Sequence, residues 1–357
     1  MFKIPSFRKS VKSDEKQKLP CVSIIIPARN EEKTISRLLT SLRSQKLIPN
    51  EIIVVDDDSN DRTFYFADSF GVKVMKSGRL PEGWTGKSWA CWQGALNSNG
   101  EILLFLDADT WFNPDGLEKI IREYIKKGGL LTIQPYHVTK KYYEQLSLFF
   151  NMILMAGTNA FTPFGSKIKP GASFGPCVVC RREDYFKAGG HQAIKSYILE
   201  DIAIGQLFIK NNLPLNCYAG KGAISFRMYE EGLRQLITGW SKSMAKGAAS
   251  ISPIFLLISI GWITGFFNVT VSLIKTAMVQ NFRNVIVISS AYIAYSAQLI
   301  WIMRRIGRFK LWMAVFFPIP LFFFALIMLR SLIMVNLFGN VVWKGRKINT
   351  SEKNINS

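Results

Sequence analysis

The chain has 357 residues, of which 48% are hydrophobic, and a formal net charge of +20. This length suits one large domain or two smaller ones, and the hydrophobic content exceeds that of most soluble enzymes, so a membrane part is expected. The charge does not indicate nucleic acid, because basic residues flank long apolar runs and form no nucleic-acid-binding pattern with aromatic residues. The five scattered cysteines imply no disulfide framework and suit a reducing cytoplasm.

The first 250 residues divide into a basic arm and a predicted α/β domain. Residues 1–19 are polar and basic without a signal-peptide-like run, so we expect a loose arm that can lie on anionic lipid. From residue 20 onwards, short apolar runs alternate with helix-like stretches. Strands are predicted at 22–26, 52–55, 72–75 and 102–106, and helices near 31–44 and 63–70. This alternation predicts a mostly parallel, Rossmann-like sheet with crossover helices.

Two apolar stretches inside this domain need separate interpretations. Segment 145–164 is interrupted by Asn151, Asn159 and Pro163, so we expect an interfacial helix on or near the membrane surface instead of a crossing. Cys177 and Cys180 have the spacing of half a zinc site. No second Cys or His pair stands nearby, and the two valines between them favour a buried strand.

The region 251–340 is predicted to lie in a membrane, and a basic tail follows at 341–357. Run 253–274 is uncharged and long enough to cross a bilayer, and a second such run covers 285–303. A third run, 311–329, contains two prolines. The dense basic loop between the second and third runs is expected in the cytoplasm.

Two spans ahead of this basic loop place the catalytic domain in the cytoplasm as well, as part of a multi-pass protein of the cell membrane. Three full crossings, however, would leave the basic tail on the outer side. The third run is therefore either a hairpin broken at Pro318 and Pro320 or an exception to the positive-inside rule.

Three polar clusters directly follow three predicted strands: 27–32 (PARNEE), 56–59 (DDDS) and 107–109 (DAD). In an open parallel sheet, ligands bind beyond such strand ends. Carboxylates such as Asp56 can accept hydrogen bonds from a uracil imide or a ribose, and the Asp-x-Asp pair, Asp107 and Asp109, offers oxygen ligands to Mg²⁺ or Mn²⁺. Each cluster alone is more often a turn or a helix cap, but their order and setting favour a nucleotide site.

Three further stretches carry candidate functional residues. Residues 83–88 (GWTGKS) lack the first glycine of a phosphate-binding P-loop, yet Lys87 near the start of a helix can still meet a phosphate. Glu200 and Asp201 precede a helix-like stretch, where one can cap the helix and the other can act as a base. Arg227 and Trp240 lie in basic and aromatic stretches before the first span, which suit the mouth of a lipid acceptor site or simple membrane anchoring.

With these residues assembled, the chain resembles a family 2 glycosyltransferase with a GT-A domain from about residue 19 to its C-terminus. The later matching stretches resemble a group of this family that attaches glucose from UDP-glucose to the carboxyl end of a C30 carotenoid acid, in staphyloxanthin-type pigment biosynthesis. The matching stretches are 22–32 (VSIIIPARNEE), 53–59 (IVVDDDS), 83–90 (GWTGKSWA), 106–109 (LDAD), 134–140 (QPYHVTK), 226–231 (FRMYEE), 304–307 (RRIG) and 343–346 (WKGR).

The resemblance implies roles for residues at matching positions. Lys87 is expected to meet the donor, Asp107 the ribose or sugar, Asp109 the metal ion, and Asp201 to be the catalytic base. The residues expected to meet the nucleotide are Pro27, Asn30, Glu31 and Asp57. One departure concerns the family's frequent Gln-x-x-Arg-Trp signature, which reads LITGW at 236–240 here, so the arginine that commonly helps stabilise the diphosphate is missing.

We therefore expect a membrane enzyme that binds a UDP-sugar, a divalent metal ion and a lipid acceptor, and no nucleic acid. Another membrane lipid could replace the carotenoid acid: a ceramide-like lipid, a diacylglycerol, a hopanoid or a polyprenyl phosphate. A non-catalytic protein that binds nucleotide sugars or lipids would not need both Asp107 and Asp109. The sequence leaves the exact sugar, the choice of metal and the oligomeric state open.

Overall fold

A computed structural model describes residues 4–7, 19–158, 169–197, 199–249, 253–279, 282–338, 340–343 and 346–349. Most of the predicted basic arm, the second part of segment 145–164, Lys344 and the last eight residues of the basic tail lie outside these ranges. The strands, in chain order, are β1 (Val22–Ala28), β2 (Glu51–Asp56), β3 (Lys73–Lys76), β4 (Ile102–Leu106), β5 (Thr110–Phe112), β6 (Leu130–Gln134), β7 (Tyr136–Val138), β8 (Cys177–Arg181), β9 (Leu215–Ala219), β10 (Ile224–Phe226), β11 (Gly307–Arg308), β12 (Asn340–Trp343) and β13 (Arg346–Asn349).

The helices surround these strands and continue beyond them into the C-terminal region. They are α1 (Ile35–Arg43), α2 (Thr63–Asp68), α3 (Gly86–Leu96), α4 (Gly116–Lys127), α5 (Leu148–Gly157), α6 (Arg182–Ala188), α7 (Gly190–Ala193), α8 (Glu200–Lys210), α9 (Leu233–Ala249), α10 (Pro253–Val279), α11 (Phe282–Ile306), α12 (Trp312–Val315) and α13 (Pro318–Phe338), and a 3₁₀ turn covers Tyr143–Ser147.

The main sheet has seven strands in the order β3-β2-β1-β4-β8-β6-β9, and only β8 runs antiparallel to its neighbours. All five residues of β4 and nearly all of β1 are buried, as expected for strands covered by helices on both faces. Cys177 and Cys180 lie buried in β8, as the valines between them indicated. The expected α/β class with a mostly parallel, Rossmann-like sheet is confirmed.

A second, four-stranded sheet has the order β11-β7-β10-β5. One edge strand, β5, directly follows Asp109, and the opposite edge strand, β11, comes from the C-terminal region. Gly307 of β11 pairs with His137 of β7. The four-stranded sheet therefore joins the catalytic domain to the chain segment between α11 and α12.

The segment predicted as an interfacial helix is mostly buried where the structure describes it. Helix α5 packs against α9, α10, α11 and α13, and the rings of Phe149 and Phe266 lie 5.4 Å apart. The side chain of Asn151 is buried and lies 2.9 Å from Nδ1 of His137. Helix α5 is thus covered by other helices, as is typical of a helix that is mostly apolar, and its position on or near the membrane surface stays a prediction.

Two C-terminal helices are long and apolar enough to cross a membrane, Leu256–Thr276 within α10 and Val285–Ile306 within α11, and little of either is buried inside the protein. These match the first two predicted spans. The third apolar run is not one continuous helix. Helix α12 ends at Val315, and α13 begins at Pro318, where the missing N–H of proline is tolerated in the first turn.

The described part of the N-terminal arm is not loose. Ser6 bridges to Ala219 of β9, and the backbone N–H of Ala219 donates to the carbonyl of Pro5 at 2.9 Å. Ile4 is buried, and the rings of Phe7 and Tyr218 lie 5.4 Å apart. Residues 4–7 thus extend the edge of the main sheet, where unpaired backbone groups of β9 accept another strand-like segment.

Candidate active site

The candidate site lies where the direction of strand order reverses in the main sheet. The chain passes from β1 to β2 and β3 on one side, whereas β4 pairs with the other side of β1. Such a reversal opens a crevice at the carboxyl ends of the central strands. Pro27 near the end of β1 and Asp107 after β4 both line this cleft, together with Lys87, His191, Glu200 and Asp201.

Lys87 is the centre of a charged cluster in this cleft. It lies in the first turn of α3, whose N-cap Thr85 accepts a hydrogen bond from the backbone N–H of Ser88. Its Nζ lies 2.9 Å from Asp107 Oδ1, and the remaining ion-pair distances are 3.1 Å to Glu200 Oε1 and 3.4 Å to Asp201 Oδ1. The structure thus brings together residues from three segments that lie far apart in the sequence.

The pKa of Asp201 differs from that of an ordinary aspartate. Burial raises the pKa of Asp201 to about 7, with the nearby carboxylates of Glu200 and Asp107 adding to the effect and the Lys87 ammonium opposing it. The same carboxylates hold the pKa of Lys87 well above its usual value against the opposing effect of burial. A carboxyl group that titrates near neutral pH is suited to accept a proton.

Two other details fix the position of Asp201. A Cβ atom at Gly175 would come within 1.8 Å of Asp201 Oδ1, so only glycine leaves room for the carboxylate. On the backbone side, Ser173 Oγ donates to the carbonyl of Asp201. A Cβ at Gly205, one turn further along α8, would lie 2.4 Å from Ser173 Oγ. The loop before β8 and the start of α8 therefore hold each other closely in place.

His191 lines the cleft and is buried. Its Nδ1 lies 2.9 Å from the hydroxyl of Tyr185, and its backbone N–H donates to the same oxygen. Burial and the nearby Lys87 ammonium lower the pKa of His191 to about 3. The imidazole is therefore neutral at physiological pH and adds no positive charge beside Lys87.

The predicted nucleotide residues lie at the ends of β1 and β2. Both Asp56 and Asp57 are buried, and Ser77 Oγ donates to Asp57 Oδ1 at 3.4 Å. Asp56 Oδ1 is buried and has no hydrogen-bond partner within the ranges that the structure describes. A buried carboxylate oxygen without a partner is costly, so a donor group from a ligand would stabilise it.

Asn30 and Glu31 connect the two strand-end loops to each other. The backbone N–H of Asn60 donates to Asn30 Oδ1 at 2.9 Å, and Asn30 itself has a positive φ of 53°. The carboxylate of Glu31 accepts from Thr34 Oγ1 at 2.6 Å. These side chains therefore shape the loops, and their expected contact with a nucleotide stays a prediction.

Asp107 and Asp109 are candidates for holding a divalent metal ion. No three His, Cys, Asp or Glu side chains are arranged to hold an ion in the described part of the chain. Mg²⁺ nevertheless often uses one or two carboxylates and takes its other ligands from phosphate and water. Three carboxylates surround Lys87, whose ammonium group carries only one positive charge. The site is therefore rich in negatively charged oxygen atoms, which are the ligands that a hard divalent cation prefers. It fits such a cation bound together with a diphosphate.

Arg37 supports the backbone at Asp109. Its Nη2 donates to the carbonyl of Asp109 at 3.4 Å, and its guanidinium lies over the ring of Trp111, 4.3 Å from the ring centroid. Nη1 of the same side chain pairs with Glu230 Oε1 at 2.9 Å. Arg37 thus connects the loop after β4 with the loop after β10.

Arg227 continues this network into the interior. Its Nη2 lies 2.6 Å from the fully buried Glu144 Oε1, and its Nη1 lies 2.6 Å from Glu230 Oε2. The side chain of Arg227 is only 8% exposed. Arg227 therefore packs inside the protein, because a buried carboxylate requires the guanidinium as its partner. A contribution of Arg227 to acceptor binding stays a prediction.

Trp240 is also buried, at 1% exposure. Its ring stacks on Phe150 with 4.7 Å between centroids, and its Nε1–H donates to Ser147 Oγ. At Gly239, where the family signature carries arginine, a Cβ would come within 2.2 Å of the Tyr229 ring. Tyr229 therefore occupies the space beside α9 from which such an arginine would extend. The acceptor-side role of Trp240 likewise stays a prediction.

Sequence reasoning missed the residues that act through tertiary contacts. Glu144, Glu230 and Arg37 carry no local motif, and the only signal was that Glu230 lies within the matching stretch 226–231. Gly175 was equally hidden, because a glycine needed for a close approach looks like any loop glycine until its neighbour is known.

Comparisons with known proteins identify relatives of the chain. The model of the family described as "Glycosyl transferase family 2" matches residues 23–185. The 4,4'-diaponeurosporenoate glycosyltransferase of Staphylococcus aureus strain MRSA252 is 35% identical over 338 residues, which cover 93% of this chain and 89% of the relative. The protein of the same name from strain USA300 gives the same identity and coverage.

Among solved structures, one similar chain is glucosyl-3-phosphoglycerate synthase from Mycobacterium tuberculosis in complex with Mn²⁺, uridine diphosphate and glucosyl-3-phosphoglycerate. It is 19% identical, with a TM-score of 0.43, and the match covers 65% of this chain and 80% of that chain. The same enzyme with Mn²⁺, UDP-glucose and phosphoglyceric acid gives a TM-score of 0.44 at 19% identity, with 68% and 80% of the two chains covered.

Proposed function

Because the chain belongs to glycosyl transferase family 2, we propose that it transfers glucose from UDP-glucose to the carboxyl group of a C30 carotenoid acid, with inversion at the anomeric carbon. The protein is a nucleotide-sugar-dependent glycosyltransferase, as its family and its relatives show. We base the proposed glucose transfer on one observation of the structure. The side chains of Lys87, Asp107, Glu200 and Asp201 lie together in one cleft at the sheet edge.

In this proposal the donor lies along the ends of β1, β2 and β4. The unpartnered Asp56 Oδ1 accepts from the uracil imide or a ribose hydroxyl, and Asp57 binds beside it. Lys87 at the start of α3 stabilises the negative charge that develops on the departing diphosphate. A divalent ion held by Asp107 and Asp109 would neutralise the same leaving group when bound.

The transfer itself is a single displacement. An oxygen of the acceptor forms a bond to the anomeric carbon from the face opposite the diphosphate, while the bond from that carbon to the diphosphate oxygen breaks and UDP leaves with the electron pair. A carboxylic acid with a pKa of about 4 is already ionised near neutral pH, so a carotenoid acid attacks without losing a proton. The product is a β-glucosyl ester.

Support for the acceptor comes from the S. aureus relative, whose name states a carotenoid acid as the acceptor and whose match covers nearly the whole chain. Support for membrane binding comes from α10 and α11, which are long and apolar enough to cross a bilayer. The exposed basic residues Arg304, Arg308 and Lys310 at the end of α11 favour a cytoplasmic position for the catalytic domain under the positive-inside rule.

Replacement of Asp201 by asparagine tests the nature of the acceptor. With an ionised carboxylate as the nucleophile, Asp201→Asn lowers kcat only mildly, by less than about tenfold, because no base is needed. With a hydroxyl acceptor, the loss of a general base lowers kcat by about 10²–10⁴-fold. Near-complete loss of transfer to the carotenoid acid would contradict the proposal and favour one of the hydroxyl-bearing lipids.

The stereochemistry is tested on the product. The anomeric proton of the isolated glucosyl ester should show the large coupling constant of a β-linkage in its NMR spectrum. A product with an α-linkage would exclude the single displacement, whichever lipid is the acceptor.

A further inference from the structure

The third apolar segment begins in contact with the catalytic domain. Thr139 Oγ1 donates to the carbonyl of Arg308 at 2.6 Å, and the backbone N–H of Lys310 donates to Gln145 Oε1 at 2.9 Å. Arg308 also belongs to β11, the edge strand of the four-stranded sheet. The chain therefore enters this segment on the side of the membrane where the catalytic domain lies.

From Lys310 the chain runs back along α11, away from the catalytic domain. The hydroxyl of Tyr292 donates to the carbonyl of Val315 at 2.6 Å, and the Tyr292 ring stacks on Phe317 with 4.6 Å between centroids. At the helical rise of 1.5 Å per residue, Tyr292 lies about 20 Å from Ile306, the end of α11 that joins β11. Residues 315–317 therefore lie deep beside the two spans.

Helix α13 then returns towards the catalytic domain. The ring of Phe324 lies 5.0 Å from that of Phe150 in α5, and further along the helix Ser331 Oγ donates to the carbonyl of Ser241 in α9. Ser331 lies about 21 Å along the helix from Phe317, which is similar to the separation of Tyr292 and Ile306 along α11. Lys310, where the segment begins, and Ser331, near its end, thus both lie beside elements of the catalytic domain.

The turn between the two paths suits a non-aqueous surrounding. Pro318 has no N–H to leave unpaired, and Ile319 N–H donates to the carbonyl of Phe316 at 3.1 Å. The carbonyl of Val315, which a continuous helix would pair with residue 319, accepts from Tyr292 instead. A broken helix at membrane depth is tolerated only where such groups find partners within the protein.

The outer face of the segment is apolar and exposed. In α13 the exposed large side chains recur every three or four residues, whereas Leu321, Phe324 and Ile327 on the other face are buried. Such an exposed apolar face, which α10 and α11 also have, fits the hydrocarbon of a bilayer. The exposed side chains are Leu311, Trp312, Val315, Phe316, Ile319, Phe322, Leu326, Leu329, Leu332 and Ile333.

We propose that residues 310–334 form a re-entrant hairpin in the lipid bilayer, with its turn at 316–318. The hairpin enters and leaves on the side of the catalytic domain, so the chain crosses the membrane only twice and its C-terminal tail lies on that side too. Arg346 and Lys347 then share the compartment of Arg304 and Arg308, as the positive-inside rule requires.

Single-cysteine labelling tests the path of the chain. Cys21 is exposed and the other four cysteines are buried, so a full-length Cys21→Ser protein is the background for added cysteines. The sites are Met278, which is 79% exposed at the far end of α10, Lys310 before the hairpin, and Ser357 at the C-terminus. A membrane-impermeant maleimide is applied to intact and to permeabilised cells, and transferase activity serves as the check on folding.

The proposal predicts that the Lys310→Cys and Ser357→Cys proteins react on the same side of the membrane and Met278→Cys on the opposite side. With a cytoplasmic catalytic domain, only Met278→Cys is labelled in intact cells. Reaction of Ser357→Cys on the side of Met278→Cys would overturn the hairpin, because it requires a third crossing.

The depth of the turn is measured separately. Phe316→Cys carries an environment-sensitive fluorophore, and the labelled protein is reconstituted in vesicles of phosphatidylcholine with brominated acyl chains. The fluorophore should be strongly quenched, whereas the same probe at Tyr65→Cys, 70% exposed on α2 of the catalytic domain, should not be. Equal, weak quenching at both positions would show that the turn lies in water and would overturn the proposal. Neither measurement depends on the identity of the donor or acceptor.

Discussion

At the scale of single residues, the account depends on the position of one carboxylate. Asp201 belongs to the first turn of α8, and its carboxylate lies against the bare Cα of Gly175. A methyl group at residue 175 would need space that the carboxylate already occupies. Gly175 therefore acts as a positioning residue, since it sets where Asp201 meets Lys87.

Replacement of Gly175 by alanine is expected to lower kcat by about 10²-fold, because the displaced Asp201 carboxylate would shift its ion-pair partner Lys87, which stabilises the departing diphosphate, and a displacement of such a group by about 1 Å costs a factor of this order. The KM for the donor should change much less, since the nucleotide residues on β1 and β2 are untouched. Steady-state kinetics with both substrates measures the two effects. Gly261→Ala is the matched control, because nothing lies within 4 Å of a Cβ at that helical position. A fully active, folded Gly175→Ala protein would contradict the assigned role.

The raised pKa of Asp201 also affects stability. A carboxyl group with a pKa near 7 in the folded protein and near 4 in the unfolded chain binds more protons when folded, so its ionisation destabilises the fold as pH rises between these values. Below this window the destabilisation is absent, and above it the full effect remains. The side chain is 38% exposed, which reduces the size of the effect.

The Asp201→Asn protein should therefore melt at a higher temperature than the unchanged protein at pH 8.5, and the difference should shrink at pH 5.5. Thermal unfolding without donor or metal measures this, and Asp68→Asn, at an exposed position in α2, serves as the control. A difference in melting temperature that is independent of pH would show that Asp201 does not titrate in this range.

At the scale of elements, the loops after β4 and β10 are connected through buried charges. Arg227 contacts both Glu144 and Glu230, and Glu230 in turn contacts Arg37, which supports Asp109. The Glu144 carboxylate also accepts from the backbone N–H groups of Lys140 and Lys141. These contacts with positive charge and N–H donors hold the pKa of Glu144 below its usual value, even though burial opposes this.

Arg227→Met should lower the free energy of unfolding by about 3–5 kcal/mol, because it leaves the buried Glu144 without its charged partner. Thermal unfolding of the purified protein measures the loss. Arg122→Met removes a half-exposed helical pair with Glu118 and should cost less than about 1 kcal/mol. Similar small losses for both variants would mean that Arg227 is not essential to the fold.

Predictions from sequence succeeded where the information was local. We could predict the strands near 22–26, 52–55, 72–75 and 102–106 because β-branched apolar runs ended in polar clusters. The order of these clusters along the chain predicted where the cleft lies. The burial of Trp240 and Arg227 could not be predicted, because composition near a membrane span does not say which side chains pack inward. Burial of Arg227 depends on Glu144, which lies far away in the sequence and could be found only from the fold.

At the scale of the whole molecule, the catalytic domain and the apolar helices form one connected structure. Strand β11 joins the four-stranded sheet, and α5 of the catalytic domain packs among α10, α11 and α13. The absence of charged residues located the three apolar runs in the sequence. It could not give the path of the third run through the membrane, because the length of an apolar run does not distinguish a full crossing from a hairpin.

The central claim is that this cleft transfers glucose to a carotenoid acid with the help of a divalent ion. The most direct measurement incubates the detergent-purified protein with radiolabelled UDP-glucose and Mg²⁺, and offers a C30 carotenoid acid in one tube and a mixed membrane-lipid extract in another, each with and without EDTA. We expect the carotenoid acid to become labelled, and we expect EDTA to abolish this labelling. Label only on another lipid, or transfer that persists in EDTA, would contradict it.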